Sequence, residues 1–495
     1  MDDVLTFGLI VAVIAAAGSV AVASSRLSDT IRVPAPAIFL VAAALASDLV
    51  PALNALSVES LQRVVTVALI FILFDGGMHI GWRRFRSAAG PITAVGVIGT
   101  FLTAGALALM AHAVFGFGWQ SALLLGTALA PTDPAVVFSV LGRREVGGRS
   151  GVTIEGESGV NDPVGIALMA SLLIAAETGR GGLAAVGTGV AEFALQMIVG
   201  AGVGILLGYA LIYVVRQVPL PSEALYPLRT LAAAALVYGV ATVAHGSGFL
   251  AVFVAGIMLG DVRAPYKVEI RRVHASVASL GEIVAFAVLG LTVNLEQVFT
   301  SDAWWIGLCL AALLALVVRP LLVGPLLLPV RLRPGEKVFI VWAGLKGAVP
   351  ILLGTFVFVA GASQATLIYH IIFVVVLFSV VVQGGLVPWV ARRCGVPMHA
   401  VEPEPWSLGV RFRHEPQGLR RYVVAPRSLA DGRTIDDLDL GEGGWVSFVS
   451  RRGALLPISG DTVLRAGDEV LVLTDPAHDP DPAAQFASRP PPSPI

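Results

Sequence analysis

The chain has 495 residues, 56% of them hydrophobic and 14% charged, with a formal net charge of -1 and a mean hydropathy of +0.83. Soluble globular domains carry about 25% charged residues, so this composition excludes a soluble enzyme and defines a polytopic helical membrane protein. No basic stripe survives outside short connections, which excludes a nucleic-acid partner. Two cysteines, Cys309 and Cys394, build no disulfide framework.

Apolar stretches near the roughly 20 residues that cross a hydrocarbon core predict about thirteen spans. The first is Val4 to Ala23, retained because Met1-Asp2-Asp3 lacks the positive start of a signal peptide. Next come Pro34 to Leu49, Leu61 to Ile80, Pro91 to Phe115, Ser121 to Leu141 and Gly151 to Ala176. A seventh, Ala184 to Val215, is followed by Ala224 to Ala244, Phe249 to Leu259 and Val277 to Val293. The last three are Trp304 to Leu328, Val338 to Ala360 and Ala365 to Val390. Connections after odd-numbered spans hold most of the base, including Arg83, Arg84, Arg86, Arg271, Arg272, Arg392 and Arg393. The positive-inside rule then puts the N-terminus outside and the C-terminus in the cytoplasm. An odd count fits two inverted six-helix repeats joined by a linker span, which pairs the fifth span with the twelfth.

The fifth span carries Ala130-Pro131-Thr132-Asp133-Pro134, and the sixth carries Glu157, Ser158, Asn161, Asp162 and Pro163. Proline inside a helix removes a hydrogen bond and clashes with the carbonyl four residues back. The fifth span is therefore expected to break and free its carbonyls at membrane depth, as transporters do to hold ions. Ser158 and Asp162 are four apart and share a helix face, with Asn161 to one side. Facing Thr132, Asp133 and the freed carbonyls, they form a set of hard oxygens suited to an alkali cation and unsuited to zinc. One carboxylate that binds either a cation or a proton is an exchanger in miniature, and Asp162 is expected to be that group.

The twelfth span is interrupted by Gly344-Leu345-Lys346-Gly347-Ala348-Val349-Pro350. Lys346 needs an anion at membrane depth; Glu157 is the expected partner, with compensation of half-helix dipoles as its alternative role. Asp75 either neighbours the site or sits at the cytoplasmic edge. Arg319 is expected to snorkel, and Glu282 to reach the interface, with a role at the site as the alternative. His245, His274 and His370 are scattered and define no metal centre; Trp304 and Trp305 mark an interface.

After Pro405, short strands are predicted at Arg421 to Val424, Trp445 to Val449, Ala454 to Ile458 and Val470 to Leu473, with turns at Arg452-Gly453 and Gly467-Asp468. The domains expected are a membrane domain over 1–395, a small α+β cytoplasmic domain over 405–475 and a disordered tail over 476–495 rich in proline.

Together, Thr132-Asp133-Pro134, Asn161-Asp162 after Glu157-Ser158, and Gly344-Leu345-Lys346-Gly347-Ala348 resemble the monovalent cation:proton antiporter-1 family. The resemblance implies a membrane-embedded homodimer whose core domain moves like an elevator, exchanging potassium or sodium for protons with no resident cofactor. It makes Asp162 the carrier, surrounded by Asp133, Thr132 and Ser158, oriented by Asn161, with Glu157 paired to the basic residue of the twelfth span. The family usually has Arg there; Lys346 keeps the charge without the bidentate fork. Asn161-Asp162, rather than two adjacent aspartates, resembles the electroneutral branch.

Ile435-Asp436-Asp437-Leu438, Leu456-Pro457 and Ala466-Gly467-Asp468-Glu469-Val470-Leu471-Val472 resemble the TrkA-C domain of potassium-conductance regulators. That resemblance implies a dimerising domain for a small regulator such as a cyclic dinucleotide, and favours potassium as the transported ion. No glycine-rich strand-turn-helix precedes it, so NAD and ATP are not implied. Two other classes compete. Gly156-Glu157-Ser158-Gly159 fits the Gly-x-Ser-Gly pattern of rhomboid intramembrane proteases, with Ser158 as nucleophile and His245 or His370 as base. A cation channel gated by the tail is the third.

Overall fold

The computed structural model describes residues 35–49, 57–141, 144–177, 182–400, 419–438, 440, 444–451, 454–456, 458–473 and 482–487. The chain divides into two compact units, Met1–Pro403 and Glu404–Ile495. The first expected span, Val4 to Ala23, and the expected turn at Arg452-Gly453 lie outside the described residues.

The described residues of the membrane unit are mostly helical. Its helices are α1 (Ala35–Leu49), α2 (Val58–Ser87), α3 (Ala89–Phe115), α4 (Trp119–Leu129), α5 (Pro134–Leu141) and α6 (Gly148–Glu177). They continue as α7 (Gly182–Gln217), α8 (Leu225–Val243), α9 (Gly248–Gly260), α10 (Lys267–Leu291), α11 (Leu295–Thr300) and α12 (Ala303–Leu326). The last are α13 (Pro334–Trp342), α14 (Ala348–Val359) and α15 (Ala365–Arg393). Among the described residues, nine helical segments are long and apolar enough to cross a membrane, and Pro36–Leu49, Gly248–Gly260 and Ala348–Val359 are shorter apolar helices. Each predicted span from the second to the thirteenth finds a helix or a broken pair of helices at its place.

Two of these spans are broken, at the two places where proline and glycine interrupt an apolar run. The fifth is α4 and α5 with residues 130–133 outside any helix, and the twelfth is α13 and α14 with 343–347 between them. The breaks meet, since the Asp133 N–H donates to the Leu345 carbonyl at 2.8 Å. Three helices also widen into π-turns, at Ala94–Ile98, Leu314–Val323 and Ser379–Gly384. Such turns are frequent at functional sites, and the second contains Pro320 immediately after Arg319. A short antiparallel pair unforeseen in the sequence, β1 (Arg144–Val146) with β2 (Met398–Ala400), joins the start of α6 to the residues after α15.

The second unit is built on an antiparallel sheet of β3 (Leu419–Val423), β4 (Trp445–Arg451), β5 (Ala454–Leu455) and β6 (Glu469–Leu473), in the order β3-β6-β4-β5. Val470 and Val472 of β6 are buried while their neighbours are half-exposed, the period-two alternation of a strand with one covered face. Val424, Ala430, Val449 and Leu464 complete this small core. The tail expected to be disordered from Pro476 is not so throughout. A short helix, α16 (Ala483–Phe486), inserts Phe486 at 2% exposure, with its ring stacked 4.8 Å from Tyr422. Backbone bonds from Ala425 N to Phe486 O and from Ala430 N to Gln485 O hold it. An apolar ring covering the sheet outweighs the proline-rich composition around it.

Candidate functional site

Helix α6 turns one stripe, Glu155, Ser158, Gly159 and Asp162, toward a cavity of about 700 Å³. Spacings of three, four and seven put these residues on one face. The breaks line it through Asp133, Pro134 and Ala135 and through Ala348 and Val349, and α2 and α10 add most of the rest, with Phe138 and Ser139 of α5, Phe253 of α9 and Val146.

The elements around the breaks spend most of their charge on half-helix ends. A helix leaves carbonyls unsatisfied at its C-terminus and N–H groups unsatisfied at its N-terminus, which favour cations and anions respectively. Lys346 Nζ donates to the carbonyls of Ala130 and Pro131, at 2.9 and 2.8 Å, beyond the end of α4. Arg319 donates through Nε to Val341 O at 2.9 Å and through Nη2 to Ile340 O at 3.4 Å, at the end of α13. At the opposite pole, the Asp133 carboxylate accepts from Ala135 N at 2.9 Å and Ala348 N at 3.4 Å, at the starts of α5 and α14. Gly347 makes room for this, since a Cβ there would stand 1.7 Å from Asp133 Oδ2.

The ion pair expected between Glu157 and Lys346 is not formed. Glu157 Oε1 instead accepts from Arg319 Nη2 at 2.9 Å, with both side chains nearly inaccessible. The expectation that Arg319 snorkels is likewise overturned, because it is 2% exposed. The reason is geometric. A planar guanidinium reaches a carboxylate and two carbonyls at once, whereas an ammonium acts as a point charge, and Gly344 leaves space for it: a Cβ there would lie 2.0 Å from Arg319 Cζ. The local pattern could not show a pair 162 residues apart; the signal available was an arginine before a proline deep in an apolar run.

Ser158 Oγ donates to Thr132 O at 2.7 Å and lies 3.4 Å from Asp162 Oδ2. Asn161 was expected to orient Asp162. It clamps the break instead, donating from Nδ2 to Thr132 Oγ1 at 2.7 Å and accepting the Thr132 N–H at 3.4 Å. Asp162 is 7% exposed, and its Oδ1 has no hydrogen-bond partner among the described residues. A buried carboxylate oxygen without a donor is costly. Facing a cavity beside other oxygens, it suits a monovalent cation or a proton, and the donor set of Asp162, Ser158 and Thr132 is the hard-oxygen chemistry such ions take.

Asp75 faces this cavity. So does Glu282. Its helix turns Ala275, Ala278, Ser279 and Glu282 to the cavity with the same period as α6. No histidine hydrogen-bonds Ser158 among the described residues; its hydroxyl is engaged with Thr132 and Asp162.

Broken helices crossing at a buried carboxylate, inside a bundle of apolar helices, define a membrane transporter of the secondary active class. The sodium/hydrogen exchanger transmembrane family model matches residues 11–393, and the TrkA-C domain model matches 419–478. The chain belongs to the sodium/hydrogen exchanger family and carries a TrkA-C domain. It is 32% identical over 477 residues to a K(+)/H(+) antiporter NhaP of Alkalimonas amylolytica, covering 95% of this chain and 82% of that one. It is 28% identical over 410 residues to a Na(+)/H(+) antiporter NhaP of Pseudomonas aeruginosa, covering 76% and 94%. Its fold is similar to that of the sodium proton antiporter MjNhaP1 of Methanocaldococcus jannaschii, with a TM-score of 0.65 at 20% identity over 78% of this chain and 100% of that one.

Proposed function

We propose that this chain is a secondary antiporter that exchanges one monovalent cation, potassium in preference to sodium, for one proton across the cell membrane. The observation that carries this reading is the buried Asp162 carboxylate, with one oxygen free of any donor among the described residues, facing a cavity between two broken helices. Potassium is favoured because the relative named for potassium aligns along 95% of the chain, tail domain included, whereas the one named for sodium aligns along 76%. The protein works as a homodimer with its N-terminus outside and its C-terminal domain in the cytoplasm, where that domain adjusts transport in response to a small ligand such as a cyclic dinucleotide. Asp162 carries the ion, Ser158 and the Thr132 carbonyl complete its oxygen shell, and Asp133, Asn161, Lys346 and the Glu157–Arg319 pair hold the crossing in shape.

The test is dequenching of a pH-sensitive dye in everted vesicles on adding potassium or sodium. Asp162→Asn should reduce cation-dependent proton movement to background while the protein still inserts. Wild-type activity in that variant, or cation flux driven by voltage without proton movement, would overturn the reading, the latter in favour of a channel.

A further inference from the structure

The second break is gripped by side chains from two of the π-turns. Arg319, in the turn Leu314–Val323, takes the carbonyls of Ile340 and Val341 at the end of α13. The next carbonyl, Trp342 O, accepts from Gln383 Nε2 at 2.7 Å, and Trp342 Nε1 donates back to the Gln383 carbonyl at 3.2 Å. Gln383 lies in the turn Ser379–Gly384 of α15. In the same turn, Ser379 Oγ donates to Gln383 Oε1 at 3.2 Å and accepts the Lys346 N–H at 2.9 Å. Ser379, Gln383 and Lys346 are all buried, and a buried main-chain group without a partner is costly. Satisfying the break accounts for part of this. It leaves over the fact that the residue whose main chain is gripped is the one whose side chain reaches the other break. Lys346 is pinned at both ends, by Ser379 at its N–H and through Nζ to the carbonyls of Ala130 and Pro131. Thr132 follows directly, and its carbonyl accepts from Ser158 within the oxygen set around Asp162.

We infer that Ser379 and Gln383 are positioning residues that set which alkali cation the carrier prefers, acting through Lys346 on the Thr132 carbonyl. Discrimination among such cations comes from the width of the oxygen cage and from the number and field of its oxygens. Groups behind the ligands tune a site by fixing where those ligands stand. With the α15 pair in place, Lys346 holds the Ala130 and Pro131 carbonyls against a fixed reference, and the carbonyl that follows them keeps one distance from Asp162. Without the pair the reference loosens, the cage adapts to either ion, and the preference falls. Neither side chain touches the ion. This role rests on the antiport reading above, and the two fail separately. Absence of exchange in the wild type ends both, whereas exchange with an unaltered cation preference in Ser379→Ala ends only this one.

In proteoliposomes of the full chain, proton movement is measured against potassium and then against sodium concentration, and the ratio of the two KM values is taken for each variant. Ser379→Ala, which removes the hydroxyl, is expected to bring that ratio about fivefold closer to one, the size of one lost hydrogen bond. Gln383→Met, of similar length but without the amide, should shift it in the same direction and supplies the reading if Ser379→Ala inserts poorly. Ser379→Thr, which keeps a hydroxyl, should hold the wild-type ratio. A purely structural role would lower the amount of inserted protein, or the maximal rate for both cations alike, and leave the ratio unmoved. A wild-type ratio in Ser379→Ala or Gln383→Met, an equal shift in Ser379→Thr, or a wild type with the same KM for both cations overturns the assignment.

Discussion

Asp162 in the membrane unit and Asp468 in the soluble unit are both buried aspartates, 7% and 1% exposed, and they do opposite things. Asp468 accepts from Arg451 Nε at 2.8 Å and Nη2 at 2.7 Å, and from the Arg465 N–H at 2.8 Å. Asp162 has one contact, from Ser158 at 3.4 Å, and an oxygen with no donor among the described residues. A carboxylate whose oxygens are fully engaged is a fastener, and one held out of water with an oxygen to spare is a binding group. Glu157 belongs with Asp468, since its Oε1 is taken by Arg319.

The difference can be broken first at Glu157. Glu157→Gln leaves the Arg319 guanidinium buried without its counter-charge, which should cost about 3–5 kcal/mol and deplete folded protein in detergent-stability assays. Asp162→Asn removes a charge that no fastener needs and should leave stability near wild type. Comparable stability of the two variants would erase the contrast. Next, Asp468→Asn weakens three hydrogen bonds in the soluble unit, at a cost of about 2 kcal/mol. Limited proteolysis should show the tail unit cut faster while exchange in vesicles persists; loss of exchange with the tail intact would make Asp468 more than a fastener.

The smallest effect is the pH dependence of that unit. Burial alone would raise the Asp468 carboxyl, but the Arg451 hydrogen bonds, the Arg465 N–H and the charges of both arginines hold it below the usual carboxylate range. A carboxyl lowered in the folded state stabilises fully above its unfolded value of about 3.9 and loses that contribution as pH falls toward the folded value. Protease resistance of the tail unit should therefore decline below about pH 4, and decline less in Asp468→Asn. An equal decline in both would assign the acid sensitivity elsewhere.

Much of this arrangement was legible because its causes are local. Pro131, Pro134, Gly344 and Gly347 act on their own backbone, so both breaks fall where the sequence places them, and the four-residue spacing of Ser158 and Asp162 is enough to put them on one face. What escaped depends on who meets whom. Arg319 looked like a snorkelling end because its partners, Glu157 and the carbonyls of Ile340 and Val341, arrive from distant helices. Lys346 was assigned an anion because the carbonyls that satisfy it belong to the other break. Glu282 carried a readable signal in its spacing from Ala275, Ala278 and Ser279, yet periodicity alone does not say whether a stripe faces lipid or a cavity. The docked Phe486 lay in a segment whose composition spoke for disorder.

The central claim is that one carboxylate holds a cation or a proton in turn. It is tested most directly by measuring the KM for potassium of the wild-type protein in proteoliposomes across a series of pH values. Mutually exclusive occupancy predicts that KM climbs in proportion to proton concentration on the acid side while the rate at saturating potassium holds steady. A KM independent of pH, with only the saturating rate falling, would mean that both ions bind at once and would contradict it.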